Sequence, residues 1–145
     1  MYKRILLAYD GSEAGQKALL DCHDLAQWGQ SELFLIAAMP LSIDFGGVEV
    51  GVYNQELEDI EKQKYQAVLD DGLRRLAQSG HSARGEVVVG DSTDVITRAA
   101  IEFRADLIVV GHKHLDSWAA RWWRGSVSKA LIEKAPCSVL VVITR

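Results

Sequence analysis

Two rhythms of apolar residues take turns along this chain. Short aliphatic runs carry no period-two polar interruption: residues Arg4 to Tyr9 (RILLAY), 33–38 (LFLIAA), 85–90 (GEVVVG), 106–111 (DLIVVG) and 138–143 (SVLVVI). Runs of this kind predict strands covered on both faces. Between them, apolar positions recur at helical spacing. Ala18, Leu19, Cys22, Leu25 and Ala26 mark one face of a first helix that Gly29 closes. Leu57, Ile60, Tyr65, Val68, Leu69, Leu73 and Leu76 mark a long second helix ending near Gly80. Val95, Ile96, Ala99, Ala100 and Phe103 follow a cap at Asp91 or Ser92, and Val127, Ala130 and Leu131 follow Ser126 on a short fourth helix. Five strands separated by helices predict a parallel sheet in an α/β sandwich, formed by residues 1–145 as one domain without repeat or linker.

Composition narrows this further. At 145 residues and 48% hydrophobic content, the chain has the size of one ordinary domain, able to bury about two-thirds of its unfolded surface. Its apolar runs stop far short of the roughly 20 residues that cross a bilayer, and Asp10 interrupts the first too early for a signal peptide core. The expectation is a soluble, cytoplasmic protein. Cys22 and Cys137 have neither metal spacing nor a disulfide framework and read as packing residues. Net charge is −4, yet Lys113, Arg121, Arg124 and Lys129 stand against Asp116 alone within residues 111–129. A basic island on an acidic protein suits a small anionic ligand better than a nucleic acid, whose backbone asks for a broader basic face.

The ends of the runs carry the candidate chemistry. In an open parallel sheet, ligands bind beyond the carboxyl ends of the strands. Here those ends hold Asp10, Gly11 and Ser12, then Ala37 and Ala38, then Gly90, then Gly111. Each alone is what a strand-to-helix turn requires, and their coincidence at one edge raises the functional reading. The segment GSVS (125–128) puts glycine and hydroxyl residues at the start of a helix. The unpartnered N–H groups and positive dipole end of such a start hold phosphate. Asp10 is placed either to hold magnesium or to cap the first helix.

Taken together, ILLAYDGSE, the Gly90-Asp91 turn, ADLIVVG (105–111) and GSVSKALIEKAPCSVLVV (125–142) resemble the universal stress protein family over nearly the whole chain. The resemblance implies a Rossmann-like three-layer sandwich of the adenine nucleotide alpha hydrolase type, with a five-stranded parallel sheet in the order 3-2-1-4-5. It also implies a homodimer paired through the last strand, 138–143. Its nucleotide-binding branch holds ATP, or AMP or ADP. Carried onto this sequence, the contacts are Ala8, Tyr9 and Asp10 at the nucleotide and the Ala38 backbone toward adenine. Val110 and Gly111 lie near ribose and phosphates, with Lys113, Arg124, Gly125, Ser126, Val127 and Ser128 around the phosphates and Mg2+ at Asp10. The sequence departs from that branch at two points. His114 stands where a second glycine belongs, and ten residues rather than nine separate it from Gly125. The other branch binds no nucleotide, which leaves a dimeric interaction module as the alternative.

Trp118, Trp122 and Trp123 read either as core or dimer-interface residues or, with Arg121 and Arg124, as an exposed patch for a partner protein. His112, His114 and Asp116 spell the H-x-H-x-D of metallo-hydrolases, but only His23 and His81 remain to complete a site, and a loop-histidine reading is preferred. Neither Ser12 nor Ser126 sits in a nucleophile elbow, and no general acid–base pair is legible. A non-enzyme with at most slow ATP hydrolysis is expected.

Overall fold

The computed structural model describes residues 2–40, 55–113 and 127–144. Its elements run β1 (Arg4–Ala8), α1 (Glu13–Gly29), β2 (Glu32–Met39), α2 (Gln55–Gln78), β3 (Arg84–Val89), α3 (Ser92–Phe103), β4 (Leu107–Lys113), α4 (Val127–Lys134) and β5 (Ser138–Thr144). The five strands form one sheet in the order β3-β2-β1-β4-β5, and every neighbouring pair is parallel. This is the expected topology.

Strand parity divides the core in two. Ile5, Leu7, Leu33, Leu35, Leu107 and Val109 point to one face, where Ala18, Cys22 and Ala26 of α1 and Leu69 and Leu76 of α2 cover them. Leu6, Ile36, Ile108 and Val110 point to the other, beneath Val95, Ile96 and Ala99 of α3 and Leu131 of α4. Both faces are dry, so neither set of positions can be polar, and the runs read as unbroken Val/Ile/Leu. The two cysteines belong to this packing. Cys22 is fully buried in the first cluster, where desolvation pushes its thiol well above the ordinary range, and half-buried Cys137 packs against the second.

The helix ends explain themselves locally. Ser12 caps α1 by accepting the Gly15 N–H at 3.0 Å, and Asp91 caps α3 by accepting the Asp94 N–H at 3.2 Å. At the other end of α1, Gly29 is the last helical residue and is buried. The left-handed C-terminal conformation falls on Gln30, with φ 51°.

Three residues expected on buried faces are exposed: Leu25, Leu57 and Ile60. For α2 the cause is length. Twenty-four residues make a rod of about 36 Å, whereas the eight-residue β2 spans about 26 Å. The first turns of α2 therefore overhang the sheet. Leu25 sits near the far end of α1, beside Tyr2 and Trp28. Leu69→Ala, at a site 1% exposed, is expected to cost about 2–5 kcal/mol in urea unfolding, and Leu57→Ala to stay within about 0.5 kcal/mol.

Candidate functional site

The order β3-β2-β1-β4-β5 reverses direction at β1, where the chain crosses one way to β2 and later returns on the other side through β4. Beyond the carboxyl ends of these strands lies a cavity of about 120 Å3. Sheet register builds its floor: Ala8 pairs with Ile36 on one side and with Val110 on the other, so three side chains from three strands stand in one row. Ala38, two residues beyond Ile36 and on the same face, extends the row. Ser92 and Ile96, one helical turn apart on α3, form one wall, and Val127, the first residue of α4, forms another. The result is an apolar slot with main-chain and hydroxyl groups at its mouth.

Asp10 sits at that mouth, exposed. Its Oδ1 accepts from the Ser12 amide at 2.9 Å and from the Ser12 hydroxyl at 2.5 Å. The capping residue is therefore Ser12, and Asp10 braces the cap. A Cβ at Gly15 would come within 2.7 Å of Asp10 Oδ1, so that glycine makes room for the brace. With Oδ1 so engaged, Oδ2 is the oxygen left for a ligand. Among the described residues, no group of three or more His, Cys, Asp or Glu could hold a metal ion. A lone carboxylate fits a magnesium ion that arrives on phosphates and needs only one or two protein ligands, not a protein cage.

Tyr9 borders the cavity by its main chain only. Its ring packs in the opposite core cluster, close enough to Gly72 that a Cβ there would lie 2.8 Å from Cε1. Its hydroxyl donates a long 3.4 Å bond to Asp71, whose carboxylate is also bound by Arg74 and by Arg75 at 2.7 Å. Burial, and then the Asp71 charge, raise the Tyr9 pKa; the hydrogen bond from Arg75 leads the effects that lower that of Asp71. The ring is thereby turned toward the α2 side of the sheet.

Gly111 also needs a corrected reason. Its main chain lines the cavity, but its missing side chain faces α1, not the ligand. A Cβ there would lie 2.4 Å from both C and O of Ala14 and 2.7 Å from Gly15 N. Gly90 falls outside the slot as well. It lines a separate groove with Asp91 and Asp94 beside α3, while Ala37 faces the α2 side of the sheet.

Of the expected contacts, the slot gathers Ala8, Tyr9, Asp10, Ala38, Val110, Gly111 and Val127. Lys113 ends β4 and Ser128 lies in the first turn of α4. Arg124, Gly125 and Ser126, with Arg121, His114, Asp116 and the three tryptophans of the same segment, lie outside the described residues. His112 is in β4, far from the His23 and His81 pair, which meet edge to face at 6.2 Å. Ile36, Ser92 and Ile96 escaped the sequence reading. Ile36 was recoverable from parity with Ala38; the other two needed the position of α3.

The profile of the universal stress protein family matches residues 1–142. A universal stress protein of Thermus aquaticus is 31% identical over 144 residues, covering 98% of this chain and 99% of its own. The crystal structure of a universal stress protein family member from Burkholderia pseudomallei superposes with a TM-score of 0.75 at 28% identity, covering 97% of this chain and 96% of its own. A family protein from Arabidopsis thaliana, crystallised with AMP bound, has a TM-score of 0.71 at 16% identity over 99% of this chain and 92% of its own.

The packing at Gly111 yields a sharp expectation. Gly111→Ala forces β4 away from α1 and should cost about 3 kcal/mol, a fall in Tm on the order of 10 °C by calorimetry. An unchanged Tm would contradict the packing.

Proposed function

Because the chain belongs to the universal stress protein family, we propose that the slot at its strand ends binds ATP or a related adenine nucleotide. The observation that carries this is the register row Ile36–Ala8–Val110, roofed by Ile96 and opening at the start of α4. Aliphatic side chains above and below suit the two faces of a purine, while the Ala38 main chain offers its edge hydrogen bonds. The first N–H groups of the helix that begins near Val127 are unpartnered within the helix and attract phosphate. Gly125, Ser126 and Ser128, with Lys113 and Arg124, supply the remaining donors and positive charge. Asp10 would hold a magnesium ion arriving with the phosphates, and that ion would neutralise their charge there. The AMP held by the Arabidopsis relative supports the ligand class.

Occupancy in this reading is a state signal in the stress response, with hydrolysis at most slow. The protein acts as a homodimer through β5, an edge strand with exposed Leu140 and Ile143, since an apolar edge needs covering. A second reading is favoured by one departure in the sequence: His114 replaces the glycine of the nucleotide-binding branch and the loop is one residue longer. In that reading the dimer binds no nucleotide and engages a protein through Trp118, Trp122 and Trp123.

Titration calorimetry with ATP and magnesium separates the two. The first reading expects micromolar binding, weakened at least about tenfold in Ser126→Asp, whose carboxylate repels phosphate, and in Ile96→Trp, which fills the slot. No heat from folded protein rejects it. The second expects Trp122→Ala with Trp123→Ala to abolish partner capture while the dimer persists in ultracentrifugation.

A further inference from the structure

At the opposite end of α1 from the slot, roughly 25 Å away along the helix, a second groove opens in the surface. It has a volume of about 470 Å3 and is lined by Tyr2, Asp24, Leu25 and Trp28. Trp28 is 84% exposed, an unusual position for the residue type that buries the most apolar area. Three of the four lining residues are apolar or aromatic, and the one charge among them is a carboxylate.

That carboxylate is exposed and has one oxygen unbonded among the described residues. The Asp24 side chain is 81% exposed; its Oδ1 faces His23 Nδ1 at 3.2 Å, and Oδ2 takes no hydrogen bond from the described residues. The nearby cations are committed elsewhere. Lys3 donates its ammonium to Gly29 O at 2.9 Å, and Arg4 lies over the Phe103 ring at 4.5 Å. Among the described residues, no cation therefore occupies the face of Trp28. An indole face beside a carboxylate with one oxygen unbonded is complementary to a flat, delocalised cation that can stack and donate together.

We propose that this groove is a docking site for a basic segment of another protein, which places an arginine guanidinium on Trp28 and against Asp24, with a neighbouring aliphatic side chain on Leu25. Two other occupants fit less well. A symmetric contact that joins this face to itself would bring no arginine to Asp24, because the lining is Tyr2, Asp24, Leu25 and Trp28 on both copies. An anionic membrane would meet the same carboxylate and a chain of net charge −4. The site is independent of nucleotide binding.

The test uses a blocked pentapeptide with a central arginine flanked by leucines, and its twin with citrulline, which keeps the shape and loses the charge. Each is titrated into the whole protein and followed by NMR at the Trp28 indole N–H and the Asp24 and Leu25 amides. Expected are saturable shifts with the arginine peptide, weakened about tenfold or more with citrulline, in Trp28→Ala and in Asp24→Asn, and retained in part in Trp28→Phe. Because Trp28 and Asp24 are surface residues, these variants keep their fold, checked by unchanged methyl spectra of the core. Equal shifts with both peptides would overturn the cationic reading. So would no shift at millimolar peptide, or shifts at these residues on raising protein concentration alone, which would assign the groove to a second copy.

Discussion

The approach of β4 to the start of α1 governs the upper end of this molecule. At Gly111 the strand runs so close to the Ala14–Gly15 backbone that a single methyl group would overlap it, at 2.4 Å. That contact holds the first turn of α1 against the strand end. The turn in turn is shaped by Asp10, whose carboxylate ties the Ser12 amide and hydroxyl while Ser12 caps the helix. Glycine is needed at 15 for Asp10 and at 111 for Ala14, so two glycines and one carboxylate set the rim of the slot. All of these contacts are made within the chain, so the rim is held by the protein's own atoms.

Below the rim, the geometry follows from sheet topology. The chain leaves β1 on one side and returns beside it through β4, and the two crossovers part above the row of Ile36, Ala8 and Val110. Small side chains at 8 and 38 keep the row low, and Ile96 closes it from α3. Apolar side chains remain in water at several places, among them the β5 edge, the far end of α1 and the first turns of α2.

Much of this was legible in the amino-acid sequence, for physical reasons that vary with the element. The inner strands were legible because a doubly covered strand must be apolar at every position, and all five strands appeared within one or two residues of their observed bounds. Helical faces were legible where a strand lies beneath, as at Leu69 and Leu76, and misleading where none does, as at Leu57 and Ile60. Periodicity reports which side of a helix is apolar and is silent on how far the helix outruns its sheet. At the slot, residues adjacent in sequence to a strand end were found directly, whereas Ser92 and Ile96 depend on where α3 is laid. Gly111 lines the slot, but its glycine character serves α1, a distinction that only strand parity and packing supply. Tyr9 was placed at the nucleotide by the resemblance; it borders the slot, while parity sends its ring toward Asp71.

The slot itself can be interrogated at its floor, where only a bound purine would be felt. Methyl NMR of the protein titrated with ATP and magnesium should shift the signals of Ala8, Ile36, Ala38 and Ile96 together and with one saturation curve, while Leu69 and Leu76 on the opposite face stay still. Floor methyls unmoved at saturating ATP would contradict nucleotide binding in this slot.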